Sequence, residues 1–133
     1  MLYLDASALI KRYLREEGTE ELMQAMDEVH RWVTCRVGYV ETARAVGLLG
    51  ADAAVGSFKA DWGTFDVVEV DTELAGEAAR LAVETGLRSL DAIHLAAASS
   101  LPRHDLVFAT WDARLHRAAK DQGLILLPES LPA

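Results

Sequence analysis

Short apolar runs alternate along the whole chain with longer segments whose apolar residues recur at helical spacing. LYLD (2–5), WVTC (32–35), FDVVEV (65–70), DLVFAT (105–110) and LILL (124–127) are brief, β-branched or aromatic runs and read as buried strands. Between them lie ALIKRYLREE, EELMQAMDEV, VGYVETARAVGLL (37–49), ADAAVGSFKADW, TELAGEAARLAVETG, SLDAIHLAAA and ARLHRAAKDQG (113–123), each carrying a helical pattern. Ser7, Thr19, Thr72 and Ser89 stand where N-caps are expected, and Gly18 and Gly86 where helices should stop. In the second helix Leu22, Met23 and Met26 share a side, as a buried stripe or a docking surface would. Strands separated by helices require crossovers. The expected fold is therefore a three-layer α/β domain, with a mostly parallel sheet of about five strands covered by helices on both faces.

Length and composition narrow this. With 133 residues, 51% apolar and 26% charged, the chain is expected to form one domain, residues 1–133, with a real core. No apolar run approaches the roughly 18 residues of a membrane span. The opening MLYLDASALIKRYLREE lacks a basic start and a small-residue cleavage site, so no signal peptide is expected. Cys35 stands alone, which fits a reducing cytosol. Thirteen basic against 21 acidic residues leave a net charge of −8. That argues against gripping nucleic acid by charge alone, and leaves room for an enzyme that meets phosphates through metal ions or for a basic protein partner.

The candidate chemistry is acidic. Open parallel sheets bind ligands beyond the carboxyl ends of their strands. Asp5 ends the first strand, and Asp112 follows the fourth. Glu41 lies on a helical line with Val37, Ala45 and Leu48, although Tyr39, Ala43 and Val46 form a competing stripe and Arg44 could pair with the carboxylate. Asp91 sits in the first turn of an otherwise apolar helix, one turn before His94, which reads more readily as a packed histidine than as a ligand. Each acid alone has a structural explanation: a cap, a turn, or a complement to a helix dipole. Together they border apolar segments at element junctions. Four carboxylates drawn together would repel without cations. An all-oxygen set suits Mg²⁺ or Mn²⁺ rather than zinc, and such a site suits phosphodiester hydrolysis.

Four stretches then bear a family resemblance. MLYLDASALIKRYL, VGYVETARA, SLDAIHLAAA and LVFATWDARLHRAA resemble, in order, the four acidic elements of PIN-domain nucleases, and the chain is most similar in size to the VapC-type toxins of toxin–antitoxin pairs. The resemblance runs from residue 1 to about 127. It implies a PIN-like fold and a cytoplasmic Mg²⁺- or Mn²⁺-dependent endoribonuclease that leaves a 5′-phosphate and a 3′-hydroxyl. It implies metal-binding roles for Asp5, Asp91, Asp112 and Glu41, the last either bound directly or acting through a water. Ser7 and Thr110 are implied as supporting polar groups. Cys35 stands where relatives often have Ser. The resemblance further implies a homodimer and a cognate antitoxin that occupies the acidic groove.

Arg12 and Arg15 follow Asp5, and Arg114 and Arg117 follow Asp112; these four are candidates for holding RNA, with a solvated helix face as the plain alternative. Trp32, Trp62 and Trp111 are expected in packing. Two rivals stand beside the nuclease reading. A receiver-like phosphoacceptor domain would use Asp71 at the end of the third strand, but it lacks the early acid pair and finds Lys120 inside a helix. A non-catalytic module could retain the same fold.

Overall fold

The structure is a computed structural model that describes residues 1–132. Five strands, β1 (Leu2–Leu4), β2 (Trp32–Cys35), β3 (Phe65–Val68), β4 (Val107–Ala109) and β5 (Ile125–Leu127), form one sheet in the order β3-β2-β1-β4-β5. Every pairing is parallel; Leu2, Tyr3 and Leu4 lie opposite Val107, Phe108 and Ala109. The helices are α1 (Ala6–Tyr13), α2 (Thr19–Glu28), α3 (Arg36–Leu49), α4 (Asp52–Asp61), α5 (Thr72–Thr85), α6 (Ser89–Ser99) and α7 (Ala113–Asp121). None is long and apolar enough to cross a membrane.

Strand alternation sorts the core into two layers. Leu2, Leu4 and Ala109 point to one face and pack with Ala8, Leu9, Leu22 and Met26 of α1 and α2. Tyr3, Val33, Cys35 and Phe108 point to the other and pack with Leu74, Leu81, Leu95 and Leu115 of α5, α6 and α7. Leu22 and Met26 are thus core residues, and the stripe on α2 is internal packing. Trp32 tilts against Phe65 and donates its Nε1–H to the carbonyl of Met26, while Trp62 packs among Tyr39, Phe58 and Phe65.

The caps of α1 and α5 differ from the expected serine and threonine, while that of α7 is the aspartate a capping reading allowed. Asp5, Asp71 and Asp112 cap α1, α5 and α7, their carboxylates accepting from the N–H groups of Ala8, Leu74 and Leu115. In each case the aspartate stands immediately before the helix, where its short side chain reaches back to an otherwise unpaired amide. Ser7, Thr72 and Ser89 fall inside their helices, and Arg88 occupies the cap position of α6 without a side-chain bond. Thr19 also falls inside, and its hydroxyl donates to the Lys11 carbonyl instead. Gly18 precedes α2 with φ +93°, and a Cβ there would lie 2.7 Å from Nε1 of Trp111, so both conformation and space require glycine. On α3 the deepest residues are Gly38, Thr42 and Val46, of which only Val46 belongs to a stripe anticipated for that helix.

The strand order also bears on the receiver reading. Receiver-type sheets run 2-1-3-4-5, whereas here β1 lies between β2 and β4. Asp71, the candidate phosphoacceptor, is committed as a helix cap.

Candidate active site

The chain runs from β1 outward to β3, then returns to lay β4 on the other side of β1. That reversal leaves a crevice between the carboxyl ends of β1 and β4, the place where open α/β sheets hold ligands. Asp5 is the residue after β1, and Thr110, Trp111 and Asp112 follow β4.

Asp5 is buried and held from three directions. Its Oδ1 accepts from Ser7 Oγ at 2.7 Å and from the Ala8 amide at 2.9 Å; its Oδ2 accepts from Thr110 Oγ1 at 2.6 Å. The same Thr110 hydroxyl accepts from the Asp112 amide at 3.1 Å, and Ser7 Oγ accepts from the Trp111 amide at 2.9 Å. Two hydroxyls therefore lock the segment carrying Asp112 against the residue that ends β1. Burial pushes the Asp5 carboxyl above its ordinary value, opposed by the bonds from Thr110, Ser7 and Ala8.

Glu41 projects from α3 and meets His94 of α6, with Oε1 2.8 Å from Nε2. The other imidazole nitrogen lies 2.7 Å from the Tyr3 hydroxyl, so a buried row runs from β1 through α6 to α3. Arg44, the alternative partner for Glu41, is not the one used. Asp91 and Glu41 line one cleft together with Arg88, Ser89 and Leu90. Burial raises the Asp91 carboxyl, the charge of Asp112 raises it further, Arg88 draws it down, and Glu41 adds to the rise. Arg88 answers part of that negative charge: its guanidinium lies 3.6 Å from both Asp91 and Asp112. The linkage Asp5–Thr110–Asp112–Arg88–Asp91, with Glu41 on the shared cleft, connects the four candidate acids at one end of the sheet.

The acids are neighbours rather than a closed shell. Among the described residues, no three His, Cys, Asp or Glu side chains stand close enough to form a ready-made ligand set. The donor chemistry still suits a hard cation. The four side chains offer only carboxylate oxygens, and Asp91 carries repulsion from Asp112 and Glu41 that a divalent ion would relieve. Sequence reasoning missed Arg88, whose position immediately before an apolar helix gave no signal. It also undervalued His94, whose spacing from Asp91 says nothing about a glutamate on another helix.

The basic candidates divide. Arg12 pairs with Asp61 at 2.9 Å and stacks over Trp32, which opens β2 at the end of the sheet away from the acids. Arg15 pairs with Glu20 at the entry to α2. Both arginines are thus engaged by carboxylates outside the candidate set. Arg114 and Arg117, on α7 directly after Asp112, line an open cleft with Glu84, Gly86, Leu87 and Asp121. Trp111 lies beneath Lys11, whose ammonium is 5.1 Å from the ring centre.

A PIN domain signature matches residues 2–121 of this chain. Ribonuclease VapC35 of Mycobacterium tuberculosis is 36% identical over 135 residues, covering 96% of each chain. Among solved structures, Mycobacterium tuberculosis VapC20, described as a toxin cleaving the sarcin–ricin loop, superposes with a TM-score of 0.73 at 16% identity over 99% of this chain and 100% of that one. A toxin–antitoxin complex from Klebsiella pneumoniae contains a chain that superposes with a TM-score of 0.68 at 20% identity, over 85% of this chain and 88% of that one. The sheet order, the acids at its switch point and these likenesses agree: the chain belongs to the PIN-domain family, with VapC ribonucleases as relatives along almost its whole length.

Proposed function

We propose that this protein is a divalent-metal-dependent endoribonuclease and the toxin of a toxin–antitoxin pair, acting in the cytoplasm. The observation that supports the reading is the linkage Asp5–Thr110–Asp112–Arg88–Asp91 at the carboxyl ends of β1 and β4, with Glu41 and Asp91 lining one cleft. In this reading Asp5, Asp91 and Asp112 hold Mg²⁺ or Mn²⁺, and Glu41 completes the set directly or through water. A cation held there would neutralise phosphate oxygens, acidify water and favour departure of the 3′ oxygen.

The protein's own groups divide the remaining work. Ser7, Ala8 and Thr110 fix Asp5 so that its carboxylate cannot rotate away. Thr110 and Ser7 also hold the backbone of Asp112 and Trp111 in register with it. Arg114 and Arg117 are suited to the RNA backbone beside the acids. In the hydrolysis a bond forms between a water oxygen and phosphorus, and the bond from phosphorus to the 3′ oxygen breaks. That oxygen takes up a proton, leaving a 3′-hydroxyl and a 5′-phosphate. The kinship with VapC ribonucleases supports RNA as substrate, and the toxin–antitoxin neighbours support a protein antitoxin as partner. A homodimer belongs to the same proposal.

Purified protein incubated with total RNA should cleave it with Mg²⁺ or Mn²⁺ and not with chelator, and Asp5→Asn and Asp91→Asn should lose at least about 100-fold of the rate. Cleavage that persists in both variants removes the acids from the mechanism.

A further inference from the structure

The row Tyr3–His94–Glu41 is joined by two hydrogen bonds, and the nuclease reading assigns no role to its first two members. Tyr3 and His94 are buried to 0% and 1% exposure. Tyr3 stacks on Phe108 of β4, which fixes the ring, and its hydroxyl meets His94 Nδ1 at 2.7 Å. A buried phenol that finds no acceptor for its proton forfeits a hydrogen bond. Its proton therefore goes to Nδ1, which must then be the unprotonated nitrogen of the ring. Nε2 is left as the N–H, aimed at Glu41 Oε1 at 2.8 Å. This assignment gives the phenol proton, Nδ1 and Nε2–H each a partner.

The approach of the helices has its own support. Gly38 stands one turn before Glu41, and a Cβ there would lie 2.7 Å from Thr34 Oγ1 and 3.4 Å from His94 Cε1. The chain thus has no side chain at the place where α3 must come close enough to α6 for the bond to form.

We infer that His94 is the positioning residue for Glu41: with Tyr3 fixing its tautomer, it donates Nε2–H to one carboxylate oxygen and leaves the other directed at the acidic cleft. The inference rests on the reading of Glu41 as part of the metal-holding set. An orienting donor of this kind changes metal affinity or activity by about 10–100-fold when removed.

Two measurements test it. Long-range ¹⁵N–¹H spectra of the wild type should show His94 as the neutral Nε2–H tautomer; the Nδ1–H tautomer overturns the inference whatever the protein does to RNA. Mn²⁺ titration by calorimetry should show binding weakened about 10–100-fold in His94→Leu, largely restored in His94→Gln, whose amide can donate from nearly the same place. In a Glu41→Gln background the His94→Leu effect should vanish. Equal losses in both backgrounds mean a purely structural histidine and overturn the inference. If His94→Leu does not fold, Tyr3→Phe takes its place, with a mixture of His94 tautomers expected and an unchanged single tautomer overturning the role given to Tyr3. A wild type that takes up no Mn²⁺ defeats the metal reading, while the tautomer result still decides how Glu41 is held.

Discussion

At the scale of single residues, the two hydroxyls around Asp5 are the most consequential small groups in the molecule. Thr110 donates to Asp5 and accepts from the Asp112 amide, so Thr110→Val removes two bonds at nearly constant volume and leaves a buried carboxylate oxygen short of a donor. The expected cost is about 1–3 kcal/mol by urea denaturation, with a larger loss of cleavage than of stability. Two of the acids, Asp5 and Asp91, oppose the fold when ionised with no cation bound. Burial raises Asp5, and burial with the charges of Asp112 and Glu41 raises Asp91. A carboxyl whose folded value exceeds its unfolded one stabilises the fold most when protonated, below the ordinary value near 3.8, and that contribution is lost as pH rises through the raised value. Metal-free Asp91→Asn should therefore gain on the wild type as pH increases from 4 to 7. Thermal melts across that range check the sign, and a gap that shrinks would contradict it.

At the scale of elements, α3 carries a paired test of why its sequence looks as it does. Gly38 and Gly47 are both interior positions of one helix, where glycine is ordinarily unfavourable. A Cβ at Gly38 meets Thr34 Oγ1, Leu9 and His94, whereas one at Gly47 meets nothing within 4 Å. Gly38→Ala should destabilise by about 1–3 kcal/mol through overpacking, and Gly47→Ala should stabilise by about 0.5–1 kcal/mol through propensity, both read from denaturation midpoints. The elements themselves were legible, because strands buried on both sides and amphipathic helices impose different periods. Their ends were less so: serine and threonine competed with the neighbouring aspartates for the cap positions, and the aspartates, whose carboxylates reach the free amides, took those of α1 and α5. Three of the acids could be placed at element ends from the chain alone. The partner of Glu41 could not, since the contact with His94 spans 53 residues and depends on how two helices cross the sheet.

For the whole molecule, the strand order was beyond the reach of local pattern. Nothing in β4 says that it pairs with β1 rather than with β3, yet this choice creates the crevice and separates the fold from the receiver type. The net charge of −8 has a global consequence as well. If the acids hold a divalent ion, binding couples to folding, and Mn²⁺ at 100 times its dissociation constant should raise stability by about 2.7 kcal/mol. The rise in melting temperature should be absent in Asp5→Asn, and a similar rise in that variant would place the ion elsewhere.

The first strand shows how little chain sets this geometry. Tyr3 points to the α5–α7 layer and Leu2 and Leu4 to the α1–α2 layer, and Asp5 follows at once. A slip of one residue exchanges the two layers and carries the carboxylate along the strand by about 3.3 Å. Deleting or inserting a single amino acid between Tyr3 and Asp5 should thus be worse than any conservative replacement there. A library of such length variants, scored for soluble expression and RNA cleavage, would find an alignment mark only three residues long on which the rest of the catalytic edge is indexed.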